Sequence, residues 1–305
     1  MTLLQHTNLQ TILVMMYCFV DDFIKVVLAS MRYALQRPDR NIPPVKKHNL
    51  SIAELATLAM FRFFTGHTNW KDFYRHIQTY HSNDFPGLPQ YGNFLEAINH
   101  LSGFALLLLQ GFMHVFRIAI PEEAKKFADS SKLNVCHIKR EFSHKVAKSI
   151  ANKSKSSMGW FYGFRLHLIV NELMQILNVR ITPATTDDRI GLEMMWNRIF
   201  GMIIADAGYV SRALQEKAHR LGKWLVTGVR ANMKKLMTET QHQLLKMRQI
   251  VETVFSVLKL RMGIETTLPR SPLGYFAHYL WCITAYQLKK YFEFMETVAT
   301  KRFLA

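Results

Sequence analysis

The sequence predicts an all-α N-terminal region followed by an α/β domain built on a mixed five-stranded sheet with helices, and three observations carry that prediction. From Thr2 to about Ile120, apolar residues recur in long runs at helical spacing. From about Glu123 the period shortens, and three strand-like segments follow one another. Helical and strand-like segments then alternate, as they do where crossover helices join parallel strands.

In the first region the helical pattern breaks at Arg37–Asn49, which carries three prolines, and again at Asp84–Gly92. Ser51 and Glu54 have capping-box spacing, so a helix should start at Ser51. The expectation is a helical bundle over residues 1–120, a candidate partner-binding domain. Trp70, Phe73, Tyr74 and His76, interleaved with Lys71 and Arg75, are candidates for that contact, although aromatic residues at helical spacing more often form core.

The second region should begin with a short strand at Lys125–Ser130. A long aromatic and β-branched strand follows at Gly159–Asn171, and an alternating one at Ile176–Thr182. Then come a helix over Asp188–Phe200, a buried strand at Met202–Ala205, a helix over Ser211–Leu221 capped by Ser211, a strand at Trp224–Thr227 and a long helix around Glu252. The order β-β-β-α-β-α-β-α matches a ribonuclease H-like fold. This reading gives a catalytic domain over residues 121–295, with a basic loop at 132–158 and a C-terminal tail at 296–305. An aromatic-rich helix from Tyr275 to Phe294 should close the core.

Charge bounds the partner. The 305 residues include 39 Lys or Arg against 22 Asp or Glu, a formal charge of +17 that calls for a polyanion. Between Ser130 and Val170 lie Lys132, Lys139, Arg140, Lys145, Lys148, Lys153, Lys155 and Arg165 against the single acid Glu141. So little compensating acid favours phosphate contact over a merely solvated, mobile loop. The apolar tracts Thr11–Val20 and Phe104–Leu109 fall short of the about 20 residues a bilayer requires, so no membrane partner is expected. No Lys or Arg precedes the first tract, which ends at Asp21-Asp22, unlike a signal peptide. Three widely spaced cysteines, Cys18, Cys136 and Cys282, fit a reduced cytoplasmic protein.

The run from Lys246 to Arg261 carries one carboxylate among its cations. Arg248, Glu252, Phe255 and Lys259 fall on one stripe of a helix, which reads equally as an ion-pair ladder or as a metal-bound acid beside phosphate-gripping cations. In the predicted fold the first and fourth strands are neighbours. Asp129 ends the first, Asp206 follows the fourth, where Gly208 would let the chain turn, and Glu252 arrives on a helix packed on the same sheet. Singly, each acid reads as a turn former, a cap or half of an ion pair. Together they form a hard oxygen site suited to Mg²⁺, with Mn²⁺ as a substitute. Asp188 is a further carboxylate, read as a helix N-cap. His167 alternates with aliphatics and faces either the site or the core.

These motifs resemble DDE transposases of bacterial insertion sequences, in particular the insertion-sequence 982 family. Asp129-Ser-Ser is similar to the first-strand Asp motif, and Gly163-Phe-Arg-Leu-His167 to a Gly-x-Lys-Leu-His strand. Thr182-Pro-Ala-Thr-Thr-Asp-Asp188 is similar to a Thr-Pro-Ala segment, and Ala205-Asp-Ala-Gly-Tyr209 to an Asp-x-Gly-Tyr motif. Arg248-x3-Glu252-x6-Lys259 has the spacing of a Tyr-Arg-Glu-Lys signature. Leu245 replaces its tyrosine, and Arg165 replaces the strand lysine.

The resemblance implies that Asp129, Asp206 and Glu252 are catalytic and hold Mg²⁺. It further implies a two-metal-ion reaction: metal-activated water cleaves at the transposon ends, and the freed 3′-hydroxyl attacks target DNA. Arg165, His167, Arg248 and Lys259, with Lys139, Arg140, Lys145 and Lys148 of the basic loop, would contact DNA. Double-stranded DNA, both transposon ends and target, would be the partner of a homodimer formed on it, with no small-molecule cofactor. Two alternatives share these residues: a metal-dependent nuclease that does not join strands, and an inactive or domesticated DNA-binding derivative.

Overall fold

The computed structural model describes residues 7–34, 50–156, 159–229, 237–266 and 269–303, which form two compact units. One comprises residues 1–107 and 276–305, the other residues 108–275. The predicted break at Arg37–Asn49 lies outside the described residues.

The described part of the first unit is helical. It contains α1 (Leu9–Ala34), α2 (Ile52–Phe61), α3 (Trp70–Tyr80), α4 (Tyr91–His100), the start of α5 (Ser102–Ala119) and most of α10 (Pro272–Phe303). The helix α2 starts at the predicted capping box, with both reciprocal hydrogen bonds present, and from Leu55 onward every one of its residues is buried. Trp70, Phe73 and Tyr74 are buried on α3, so those aromatics form core, while Lys71 and Arg75 on the same helix are exposed. The helix predicted for Tyr275–Phe294 is longer at both ends, running through most of the expected tail 296–305. From Phe276 it belongs to the unit of the first helices, not to the α/β unit, and there Trp281, Cys282, Ile283 and Leu288 are buried. Trp281 donates its indole N–H to the carbonyl of Ile98. Among the described residues α5 alone is long and apolar enough to cross a membrane, but only 33% of that stretch is buried, and core helices pass the same test.

The second unit holds β1 (Lys126–Cys136), β2 (Asn152–Ser156), β3 (Gly159–Asn171), β4 (Ile176–Pro183), α6 (Asp188–Met195), β5 (Gly201–Ala205), α7 (Arg212–Arg220), β6 (Lys223–Thr227), α8 (Glu239–Lys246) and α9 (Gln249–Ser256). β1 runs antiparallel to β3, which runs antiparallel to β4; on the other side β1 is parallel to β5, and β5 to β6. A meander of three strands followed by two parallel crossover strands, with the first and fourth side by side, is the order expected of a ribonuclease H-like domain.

The sheet has six strands rather than the predicted five. The extra strand, β2, pairs with the first part of β3 and lies inside the predicted basic loop 132–158. That loop is further shortened because β1 extends to Cys136, and a 3₁₀ turn at Ile138–Arg140 follows. Alternating Lys and Ser in Asn152–Ser156 places polar side chains on both faces, which suits an edge strand and hides its pattern from a hydrophobicity reading.

Candidate active site

Backbone register places the two aspartates. Ala128 pairs with Ala205 where β5 ends, so Asp129 and Asp206 are the next residues of two neighbouring strands. Past the end of β5, β1 has no partner on that edge, and a cleft opens there. It has a volume of about 670 Å³ and is walled by Asp129, Asp206, Asp188, Arg248 and Arg165, with Lys132 and Lys155 along its length.

Asp129 is largely enclosed, its side chain 18% exposed. Its Oδ1 accepts from the backbone N–H of Ser130 at 2.8 Å, and Oδ2 accepts from Arg248 Nη1 at 2.6 Å. Burial pushes its pKa up to about 6; Arg248 and the Ser130 N–H oppose the rise, and nearby Asp206 and Asp188 add to it. Asp206 is exposed and caps the 3₁₀ turn Ala207–Tyr209, its Oδ1 accepting from Ala207 N–H at 2.7 Å. Gly208 does not adopt a positive φ, so the turn is made by 3₁₀ geometry and does not depend on glycine.

Glu252 reaches this cluster through a cation. Arg248 holds Glu252 Oε1 at 2.6 Å with Nη2 while Nη1 holds Asp129, so one guanidinium fork bridges the two acids. Glu252 itself is 51% exposed. Among the described residues no three His, Cys, Asp or Glu side chains are grouped closely enough to hold a metal. The gap between Asp129 and Glu252 nevertheless takes a positive charge between two hard oxygen donors, which is the chemistry Mg²⁺ or Mn²⁺ requires.

The predicted single helix over Lys246–Arg261 is broken. α8 ends at Lys246, Arg248 stands at the head of α9, and Val257–Arg261 forms a π-helical turn. That turn takes Lys259 out of the regular stripe. Its Nζ donates to the carbonyl of Lys132 at 2.5 Å and lies 3.7 Å from Glu265, so it braces the edge of β1.

Along the wall of the cleft a polar chain supports β1. Ser130 Oγ donates to Asp188 Oδ1 at 2.5 Å, and Arg165 Nη1 donates to the same oxygen at 2.7 Å. Tyr209, almost fully buried, hydrogen-bonds Ser130, and burial holds its phenol well above its ordinary pKa. The helix cap expected at Asp188 is made by Asp187, whose side chain accepts from Arg189 N–H at 2.9 Å; this leaves Asp188 turned to Arg165 and Ser130. Arg165, with only 16% exposure, therefore spends its fork inside the protein.

Of the two placements left open for it, His167 takes the core. It is fully buried, its Nε2 lies 2.9 Å from Thr182 Oγ1, and its ring packs so closely on Gly191 of α6 that a β-carbon there would fall 2.3 Å from it. Burial lowers its pKa to about 4, so the ring is neutral at physiological pH. Lys139, Arg140, Lys145 and Lys148 are exposed around the 3₁₀ turn, outside the cleft walls. From sequence, Lys132 and Lys155 were counted only within the phosphate-contacting basic run, and Ser130 and Tyr209 had no role of their own. Their signals were present in the basic run and in the Asp-Ser-Ser and Asp-x-Gly-Tyr motifs, but only the fold separates cleft lysines from surface ones.

No curated protein matches the chain. A cryo-EM structure of the piggyBac transposase synaptic complex with hairpin DNA is similar at a TM-score of 0.46 and 10% identity, over 86% of this chain and 70% of that one. Residues 121–272 match the family described as Transposase DDE domain, from just before β1 to the start of α10. The chain therefore carries the DDE domain of a transposase.

Proposed function

We propose that this protein is the transposase of a bacterial insertion sequence of the insertion-sequence 982 family, cleaving phosphodiester bonds at the element's ends and joining the 3′ ends to target DNA. One observation supports this most: Asp129 and Asp206 emerge side by side where β5 stops, and Arg248 ties Glu252 to Asp129 at the mouth of a cation-lined cleft. In this reading Asp129, Asp206 and Glu252 hold Mg²⁺ or Mn²⁺, and Arg248 moves from the acids to a backbone phosphate. The bound ions would supply Lewis-acid stabilisation of charge at the reacting phosphorus. Lys132 and Lys155 grip the strand along the cleft, while Arg165 and Lys259 keep β1 rigid beneath the acids. The exposed cations of the 139–148 segment extend the phosphate-binding surface beyond the cleft. Two copies acting on paired ends in the cytoplasm complete the proposal.

The test is cleavage and strand transfer on labelled element-end DNA with added Mg²⁺. Asp129→Asn, Asp206→Asn and Glu252→Gln should each abolish both reactions while DNA binding persists. Full activity in any of the three removes that residue from the site. Cutting without joining by the wild-type protein reassigns it as a nuclease.

A further inference from the structure

Beside the end of the cleft that Lys155 and Phe161 line, and outside the lining itself, stands an aromatic platform. Trp160 on β3 is 57% exposed, unusual for the largest apolar side chain. Across the β2–β3 ladder it pairs with Lys155, which lines the cleft. The ammonium groups of Lys153 and Lys155 lie 5.5 and 6.0 Å from its ring centroid. Trp160 also shares a sheet face with Asp129, because residues alternate along β3 and Leu168 is the partner of Asp129. The stretch of β3 from Leu168 to Trp160 spans at most about 26 Å at roughly 3.3 Å per residue, a few nucleotides from the acids.

A flat, exposed indole flanked by two ammonium groups, of which Lys153 also pairs with Glu141 at 2.7 Å, has the composition of a site for single-stranded nucleic acid: the ring stacks on a base and the lysines meet the neighbouring phosphates. Paired DNA offers no free base face to such a ring. We propose that Trp160, with Lys153 and Lys155, binds an unpaired base of the DNA strand lying along the cleft. This rests on the DNA-processing reading of the cleft and adds to it the form of the substrate, a strand that is locally single-stranded a few nucleotides from the reacting phosphate.

The experiment measures fluorescence anisotropy of the full chain, in EDTA, with a blunt duplex and with the same duplex carrying a single-stranded tail. Trp160→Ala should weaken binding of the tailed DNA by roughly 5- to 150-fold, the ~1–3 kcal/mol of one base–aromatic stack. Trp160→Phe should retain most of that affinity, and blunt-duplex binding should be unchanged in both variants. Equal binding of tailed DNA by wild type and Trp160→Ala overturns the proposal, as does an equal loss on blunt and tailed DNA. Wild-type protein that binds neither DNA overturns the DNA reading of the cleft and this proposal with it.

Discussion

Replacing Arg248 with alanine removes the one cation that joins Asp129 to Glu252, and the consequences depend on pH. Asp129 has a folded pKa of about 6 against an ordinary value of 3.8, so burial outweighs the help it receives. A shift of roughly two units corresponds to about 3 kcal/mol. The folded state binds the extra proton between those values, so this group's contribution to stability falls as pH rises from about 4 to about 6. Arg248 is the largest influence holding the value down. In Arg248→Ala the folded value therefore moves higher, and the fall continues to higher pH. Breaking a fully buried ion pair costs about 3–5 kcal/mol. With the two side chains 22% and 18% exposed, solvent screening reduces the expected loss to about 1–3 kcal/mol at pH 8. The bond to the half-exposed Glu252 adds a few tenths of a kcal/mol.

Urea denaturation in EDTA at pH 8 and at pH 5 measures the gap between the two proteins. It should be plain at pH 8 and nearly closed at pH 5, where Asp129 is protonated in the folded state of both. Saturating Mg²⁺ at pH 8 should then stabilise the alanine variant more than the wild type, because no guanidinium has to be displaced. A gap of equal size at both pH values, or no gap at pH 8, refutes the assignment of Arg248 as the cation that Asp129 depends on.

Gly191→Ala should cost about 1–3 kcal/mol, since the new methyl would sit 2.3 Å from the His167 ring and push it off Thr182. The readout is a thermal melt, and an unchanged midpoint would show that the ring relocates freely. DNA affinity should fall steeply as salt rises, because each cation that meets a phosphate releases a counterion. A plot of log affinity against log salt gives the slope, and a flat line would detach the +17 charge from backbone contact.

The fold was legible where burial is one-sided or complete. β3 is buried along most of its length and was read residue for residue from Gly159 to Asn171, while β4, β5 and β6 were each placed to within a residue at either end. β2 was not legible because an edge strand of Asn, Lys and Ser carries no apolar alternation; only its pairing to β3 defines it. The site was legible as residue types and less so as roles. A histidine between aliphatics reads the same whether it faces a cleft or a core, and the tight approach to Gly191 decides it. Adjacent Asp187 and Asp188 each satisfied the requirement for a cap, and helix geometry gave that role to the first.

The cations were harder still, because a positive charge in a transposase sequence reads as a DNA contact wherever it falls. Arg165 serves Asp188 and Ser130, Lys259 serves the Lys132 carbonyl and Glu265, and Arg248 serves Asp129 and Glu252. Each neutralises or anchors a group that the site needs in place before a substrate arrives. A cleft that gathers several carboxylates needs charge of its own, since Asp206 and Asp188 add to the cost that burial puts on ionising Asp129 and Arg248 opposes it. Braces of this kind have little freedom to seek phosphate, so under the proposed function the holding of DNA would pass to Lys132, Lys155 and the exposed 139–148 segment. Arg248 stands between the two groups: its bonds are to Asp129 and Glu252, and under the proposed function it would have to exchange them when metal and substrate enter.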